Sequence, residues 1–237
     1  TSNHLQGFNL TKHYICDSYY QTFMTRLFSA LIALLLITSQ LSAQNDSKAQ
    51  EILKGVSAKY KSYKSLTASF KLGILDHKSK KSSAQNGSVT IRGGSFNLFM
   101  SDQTVMCDGK TTWTYLKESN EVQVSENKPS ADAITPTNIF TMYEKGFKSK
   151  FLSEKAVAGK AVQLIELTPD DAKKNYFKIQ LTIDKKDKYV SEAKVFDKSG
   201  NIYTYSIVKF TPNAKVTEDM FTFNKAKYPG VEIVDLR

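Results

Sequence analysis

The sequence predicts a mainly β, α+β fold: an open half-barrel of antiparallel strands, with a short α-helical lid over an apolar cavity. Three observations carry this. A helical pattern comes first, then a long run of segments with period two, and helical spacing is inserted once midway. Each period-two segment has one apolar face, often aromatic, and one Thr/Ser/Lys face. A single sheet of that kind leaves an oily face that something must cover.

The first element spans Gln44–Lys64. Ile52, Val56, Tyr60 and Tyr63 recur at spacings of four, four and three, which is one face of a helix. Ser47 followed by Gln50 reads as a capping-box start. The opposite face carries Lys48, Glu51 and Lys59, so the helix is amphipathic and must lie on something apolar.

The period then becomes two. Leu66, Ala68, Phe70, Leu72 and Ile74 alternate with Thr67, Ser69 and Lys71. Asn86-Gly87 reads as a tight turn before the β-branched stretch Gly87–Arg92. Phe96, Leu98 and Met100 alternate with Ser95 and Asn97. Gln103–Cys107 and Thr111–Leu116 flank Asp108-Gly109 as a hairpin, and Val122 and Val124 follow. Between Pro129 and Phe151 the spacing of Ile139, Phe140, Met142, Tyr143 and Phe147 is helical, with Pro136 in a first turn capped by Thr135. Alternation returns at Val162 and Leu164. It continues through Phe177, Ile179, Leu181 and Ile183, then Val190–Phe196, the turn Lys198–Asn201 and Ile202–Phe210. Met220–Phe223 is the last apolar stretch, before Pro229-Gly230-Val231.

The domain reading is 1–23 as an upstream over-extension without function, 24–43 as a cleaved signal peptide, and 44–237 as one domain. Met24-Thr25-Arg26 is a basic start, Leu27–Ile37 an apolar run, and Ala43 a small residue at the cleavage point. A buried helix or a membrane anchor is the competing reading of Leu27–Ile37. A spanning helix needs about 20 apolar residues, and this run is well short of that. Cleavage of 43 residues would leave 194, enough for one sizeable core. It removes two cations and one anion, taking the formal charge from +10 to +9. Residue 44 is Gln and not Cys, so the mature chain is expected to be soluble and unacylated, in the periplasm.

The basic balance admits nucleic acid, anionic lipid or an acidic partner. Its lysines are scattered and sit in turns such as Lys78–Lys81 and Lys185–Lys188, which reads as a solvated surface and not a nucleic-acid groove. Of Cys16 and Cys107, only Cys107 survives cleavage, so it reads as a small buried hydrophobe without a disulfide. His77 would be the one histidine left, and no ligand cluster surrounds it. Gly109-Lys110-Thr111 lacks the upstream glycine of a phosphate loop. Asp170-Asp171 and Glu218-Asp219 read as turn residues. No catalytic constellation, cofactor site or metal site is expected, and the protein does not read as an enzyme.

Asp108-Gly109-Lys110-Thr111-Thr112-Trp113-Thr114-Tyr115 resembles the Asp-Gly-Lys-x-x-Trp-x-Tyr hairpin of the periplasmic outer-membrane lipoprotein carriers, the LolA family. Leu66–Phe70 is similar to that family's first strand and Gly87–Arg92 to its second. Leu167-Thr168-Pro169 and the ending Phe221-Thr222-Phe223 … Pro229-Gly230-Val231 fall in the family order. The resemblance implies a monomeric chaperone that takes lipoprotein acyl chains from an inner-membrane transporter and carries them to the outer membrane, with an outer-membrane receptor as a further partner. The alternative is an envelope lipid-binding sensor built on the same sheet. The expected cavity residues are Phe70, Leu72, Phe96, Leu98, Met100, Trp113, Tyr115, Phe177, Ile179 and Leu181. The helix Ser47–Lys64 and the segment Pro136–Phe147 are the lid pieces. The resemblance makes Arg92 the lid latch, although Gly93-Gly94 stands where the family has a proline.

Overall fold

The computed structural model describes residues 46–128, 137 and 141–237. The expected leader, its cleavage point and four residues of the second lid segment, 136 and 138–140, lie outside them. Lys48–Arg237 forms one compact unit. No helix among the described residues is long and apolar enough to cross a membrane.

Helix α1 occupies 46–61. Ala49, Leu53, Val56 and Tyr60 form its buried stripe, at the spacing of a single helix face. Ser47, expected at the cap, already lies within helical backbone. The helix stops short of Lys64: its last turn tightens, with the Tyr63 N–H donating to the Tyr60 carbonyl at 3.1 Å and the Ser62 hydroxyl to the Lys59 carbonyl at 2.6 Å. The chain then turns into the sheet.

Twelve strands follow. They are β1 (Leu66–Asp76), β2 (Ser82–Arg92), β3 (Ser95–Phe99), β4 (Gln103–Cys107), β5 (Thr111–Leu116), β6 (Glu121–Glu126), β7 (Phe147–Val157), β8 (Lys160–Pro169), β9 (Tyr176–Asp184), β10 (Val190–Asp197), β11 (Asn201–Pro212) and β12 (Glu232–Asp235). They make one sheet in the order β12-β6-β5-β4-β3-β2-β1-β11-β10-β9-β8-β7. Only the β12–β6 pair is parallel. The end strands β12 and β7 do not pair with each other, so the sheet is not closed into a barrel. The expected open β architecture is therefore present.

Three sequence expectations need correction. Asn86-Gly87 is no turn: both residues pair within β2, opposite Lys71 and Phe70 of β1. The glycine serves close packing instead. A Cβ on Gly87 would lie 2.5 Å from Phe70 Cζ and 2.7 Å from Met100 Sδ. Phe147, counted in the midway helical spacing, opens strand β7. β7 reads poorly from sequence because its lysines suit a sheet edge and mask the alternation. Finally, β12 was not anticipated, and it is only four residues long.

Asp108-Gly109 does form its hairpin. Asp108 Oδ1 accepts the N–H groups of Lys110 and Thr111, each at 2.8 Å. Gly109 supplies the required φ of +97°.

Candidate functional site

Residues paired across antiparallel strands share a sheet face, so the register sorts the expected site residues. The inner face is the one that α1 covers. Phe70 and Leu72 lie on it, with Leu98 opposite Val89 and Phe96 opposite Ile91. Met100 reaches it over Gly87. Ile179 and Leu181 face inward with Val195 and Ala193. These seven are brought together on one face.

Two apolar clusters form on that face. In the first, α1 lays Ala49, Leu53, Val56 and Tyr60 onto Leu66, Ile165, Leu167, Ile179, Leu181 and Ile183, together with Tyr143. The Val190 N–H donates to the Tyr60 hydroxyl at 3.4 Å, and the Tyr60 ring meets Phe210 edge-on at 5.7 Å. Burial pushes the Tyr60 phenol far above its ordinary range. The second cluster holds Ala68, Phe70, Leu72, Val89 and Met100, with Leu98, Tyr203, Tyr205 and Ile207 against it. No residue of α1 belongs to this second cluster.

Trp113, Tyr115 and Phe177 are not part of the shared surface. Trp113 pairs with Met106, which pairs with Asn97, and all three face outward. Tyr115 packs on Tyr228 at 4.5 Å and donates its hydroxyl to Asn120 Oδ1 at 3.1 Å. The apolar side of the sheet changes across the hairpin. On β5 and β6 the inner face is Thr112, Thr114, Gln123 and Ser125, while Trp113, Tyr115, Val122 and Val124 point out. The C-terminal segment 213–237 covers this outer patch. Asn97 Nδ2 donates to the Met220 carbonyl at 2.6 Å, and Phe221 is fully buried.

Phe177 faces outward for a different reason. Val195 pairs with Ile179 and Phe196 with Lys178, but Asp197 pairs with Tyr176, leaving Phe177 as the extra residue of a bulge. Tyr176 and Ile179 are both buried, whereas Phe177 is 49% exposed. Strict alternation from Ile179 back to Phe177 fails at that bulge.

Arg92 also faces outward. Its guanidinium pairs with Glu218 and stacks over the Phe221 ring, 5.0 Å from the centroid. Its described partners are in the C-terminal segment, not in α1. Sequence reasoning missed Asn97, Glu218, Phe221 and Tyr228 as a group. Phe221-Thr222-Phe223 marked the segment, but no local pattern shows where it docks.

Between α1 and the 3₁₀ turn Met142–Glu144, Lys61 Nζ donates to Glu144 Oε1 at 2.5 Å. That contact holds the Glu144 carboxyl below its ordinary range. Burial raises the Tyr143 phenol, with Ser57 opposing the shift.

Two pockets bounded by described residues open on the outer face, with volumes of about 220 and 270 Å³. The first is lined by Asn97, Met106, Met220 and Tyr228 among others, and the second by Thr67, Ser69, Ser88 and Lys209 among others. No group of His, Cys, Asp and Glu among the described residues could hold a metal ion. Cys107 is a free, fully buried thiol, as its apolar neighbours suggested.

The site is thus an open, mostly antiparallel sheet with an apolar inner face and a helix laid across part of it. The family model described as outer membrane lipoprotein carrier protein LolA matches residues 61–224, and the chain belongs to that family. That family is one of binding and carrier proteins. No curated protein matches the chain. Among solved structures, an uncharacterised conserved protein from Thermus thermophilus superposes with a TM-score of 0.55 at 14% identity, covering 79% of this chain and 99% of that one. A LolA superfamily protein from Nitrosomonas europaea gives a TM-score of 0.41 at 12% identity, covering 74% and 97%. The MucA/MucB complex of Pseudomonas aeruginosa gives 0.41 at 13% identity, covering 75% and 62%.

Proposed function

We propose that this chain is a periplasmic carrier. It shelters the acyl chains of lipoproteins on its inner face and moves them from an inner-membrane transporter to the outer membrane. The observation that carries the reading is the second apolar cluster. Phe70, Leu72, Val89 and Met100 continue the oily inner face past the reach of α1. Acyl carbon buried there releases about 0.8 kcal/mol per methylene, so several carbons hold a ligand without a polar anchor. We assign the acyl contacts to Phe70, Leu72, Phe96, Leu98, Met100, Ile179 and Leu181. Of these only Leu98 is half-buried, and the other six are buried, so an acyl chain reaches them only when the cover over the inner face, α1 included, shifts. Loading is then an equilibrium between a covered and an opened face. Arg92 acts in this scheme on the C-terminal segment. The leader 24–43 is cleaved after Ala43, and the carrier works as a monomer without a cofactor.

The test is Leu98→Glu. Leu98 is half-buried at the margin of the second cluster, so the fold tolerates the change better than at Ile179, which is 4% exposed. Acyl binding is expected to disappear while the β signal in circular dichroism persists. Retained binding would remove the acyl function from this face. Mass spectrometry of what co-purifies with the protein from its own envelope identifies the cargo.

A further inference from the structure

The outer face carries an apolar row that the carrier reading does not use. Phe196 pairs with Ile202, and Ile202 pairs with Leu75. The β9 bulge sets Phe177 beside Phe196, with ring centroids 6.3 Å apart. The row Phe177–Phe196–Ile202–Leu75 therefore crosses four adjacent strands, a width of about 15 Å at ordinary strand spacing. Phe177 is 49% exposed and Leu75 39%. A contiguous exposed apolar patch of this kind marks an interaction surface.

Lysine-bearing turns flank both ends of the row. Beyond Leu75 lies the turn with Lys78, Lys80 and Lys81, and beyond Phe177 the turn with Lys173. Three carboxylates of these turns accept local hydrogen bonds. Asp76 accepts from the N–H groups of Lys78 and Ser79 and from the Ser79 hydroxyl. Asp171 accepts from the Lys173 N–H. Asp197 accepts from the Asn201 N–H and side-chain amide. The turns are also neighbours, since Lys198 N–H donates to the Asn175 carbonyl at 2.8 Å and Gly200 sits against His77. Beside the rings, Lys178 Nζ lies 4.4 Å above Phe196.

Exposed aromatic and aliphatic side chains bordered by lysines are the signature of a surface that settles on an anionic lipid interface. The whole chain carries a formal charge of +10, complementary to such an anionic surface. From this we infer that the outer corner built by the ends of β1 and β9–β11 is a docking surface for anionic phospholipid membranes. The rings enter the headgroup boundary and the turn lysines meet lipid phosphates. The surface is separate from the inner acyl-binding face, on the other side of the sheet.

The experiment is co-sedimentation of the purified protein with vesicles of phosphatidylcholine alone and of equal parts phosphatidylcholine and phosphatidylglycerol. Binding is expected only to the mixed vesicles, and it should weaken as salt is raised. Each Lys near an anionic surface strengthens binding about fivefold, so the joint change Lys78→Gln, Lys80→Gln, Lys81→Gln should weaken it on the order of a hundredfold. Phe177→Ser should weaken it at least about fivefold. Phe99→Ser, at an equally exposed ring on β3 outside the row, should change nothing. Thermal melts of all variants establish that the fold is intact. Absent binding, equal binding to neutral vesicles, or binding unaffected by Phe177→Ser would each overturn the inference. So would a dimer in sedimentation velocity that Phe177→Ser dissolves, which gives the patch to a second copy of the chain. Acyl uptake by Phe177→Ser is expected to stay normal, so this result stands or falls independently of the Leu98→Glu test.

Discussion

A single missing methyl group shapes the inner face. Phe70 and Met100 both occupy the space above Gly87 that a side chain would fill. Gly87→Ala is expected to destabilise the protein by about 1–3 kcal/mol through overpacking. Urea denaturation measures this, and adding Phe70→Leu should recover part of the loss. An unchanged midpoint for Gly87→Ala would mean that the ring does not rest there. Arg92 offers a contrasting case. Its partner Glu218 has a side chain 85% exposed, so the ion pair contributes at most about 1 kcal/mol after solvent screening. Arg92→Leu should therefore leave global stability nearly unchanged while the C-terminal segment becomes easier to cleave. Limited proteolysis reads this directly, and an unaltered cleavage rate would show that the guanidinium does not hold the segment.

At the scale of elements, two pieces cover the sheet, and they are held differently. Helix α1 is held by burial of Leu53, Val56 and Tyr60 and at its end by the Lys61–Glu144 contact. Because the Glu144 carboxyl is lowered from its ordinary 4.5, its contribution is complete above that pH and is lost as pH falls through the lower folded value. The protection of the amides at the end of α1, relative to their intrinsic exchange rate, should fall as pH drops below 4.5. Glu144→Gln should show the faster exchange at neutral pH and lose that step, whereas an identical pH profile would exclude the tether. The C-terminal segment covers Trp113, Tyr115, Val122 and Val124, on the face opposite α1. Removing 213–237 would expose this patch and leave β6 as an edge. Strong binding of a hydrophobic dye and loss of cooperative unfolding are expected, and a cooperative, dye-free truncated protein would contradict this account.

For the whole molecule, an unclosed sheet leaves two edges to be protected. β12 is four residues long and acidic at both ends. β7 is eleven residues long, with exposed Lys148 and Lys150. Charged side chains at an edge discourage pairing with another chain. Replacing both lysines by valine should produce concentration-dependent association in light scattering without lowering the monomer's melting temperature. A variant that stays monomeric would mean that the bulge after Phe151 protects the edge unaided.

The sequence by itself determined the period of each segment. From that came the amphipathic helix, most of the strands, the Asp108-Gly109 hairpin and the apolar character of Phe70, Leu72, Leu98, Ile179 and Leu181. The family motifs were legible for the same reason, since they are local in the chain. Tertiary structure decided the phase between strands. Alternation states that Trp113 and Tyr115 share a face, but not that this face is opposite to that of Leu98. That depends on the register of the β4–β5 pairing and on the distant segment docked over Trp113. The bulge at Phe177 likewise comes from matching β9 to β10, and it turns a ring expected inside toward solvent. Gly87 shows the same limit: Asn-Gly is a turn signal in isolation, but β1 pairs through it because Phe70 needs the room. Periodicity is a property of neighbours along the chain, whereas facing is a property of neighbours across the sheet, and only folding makes the second set.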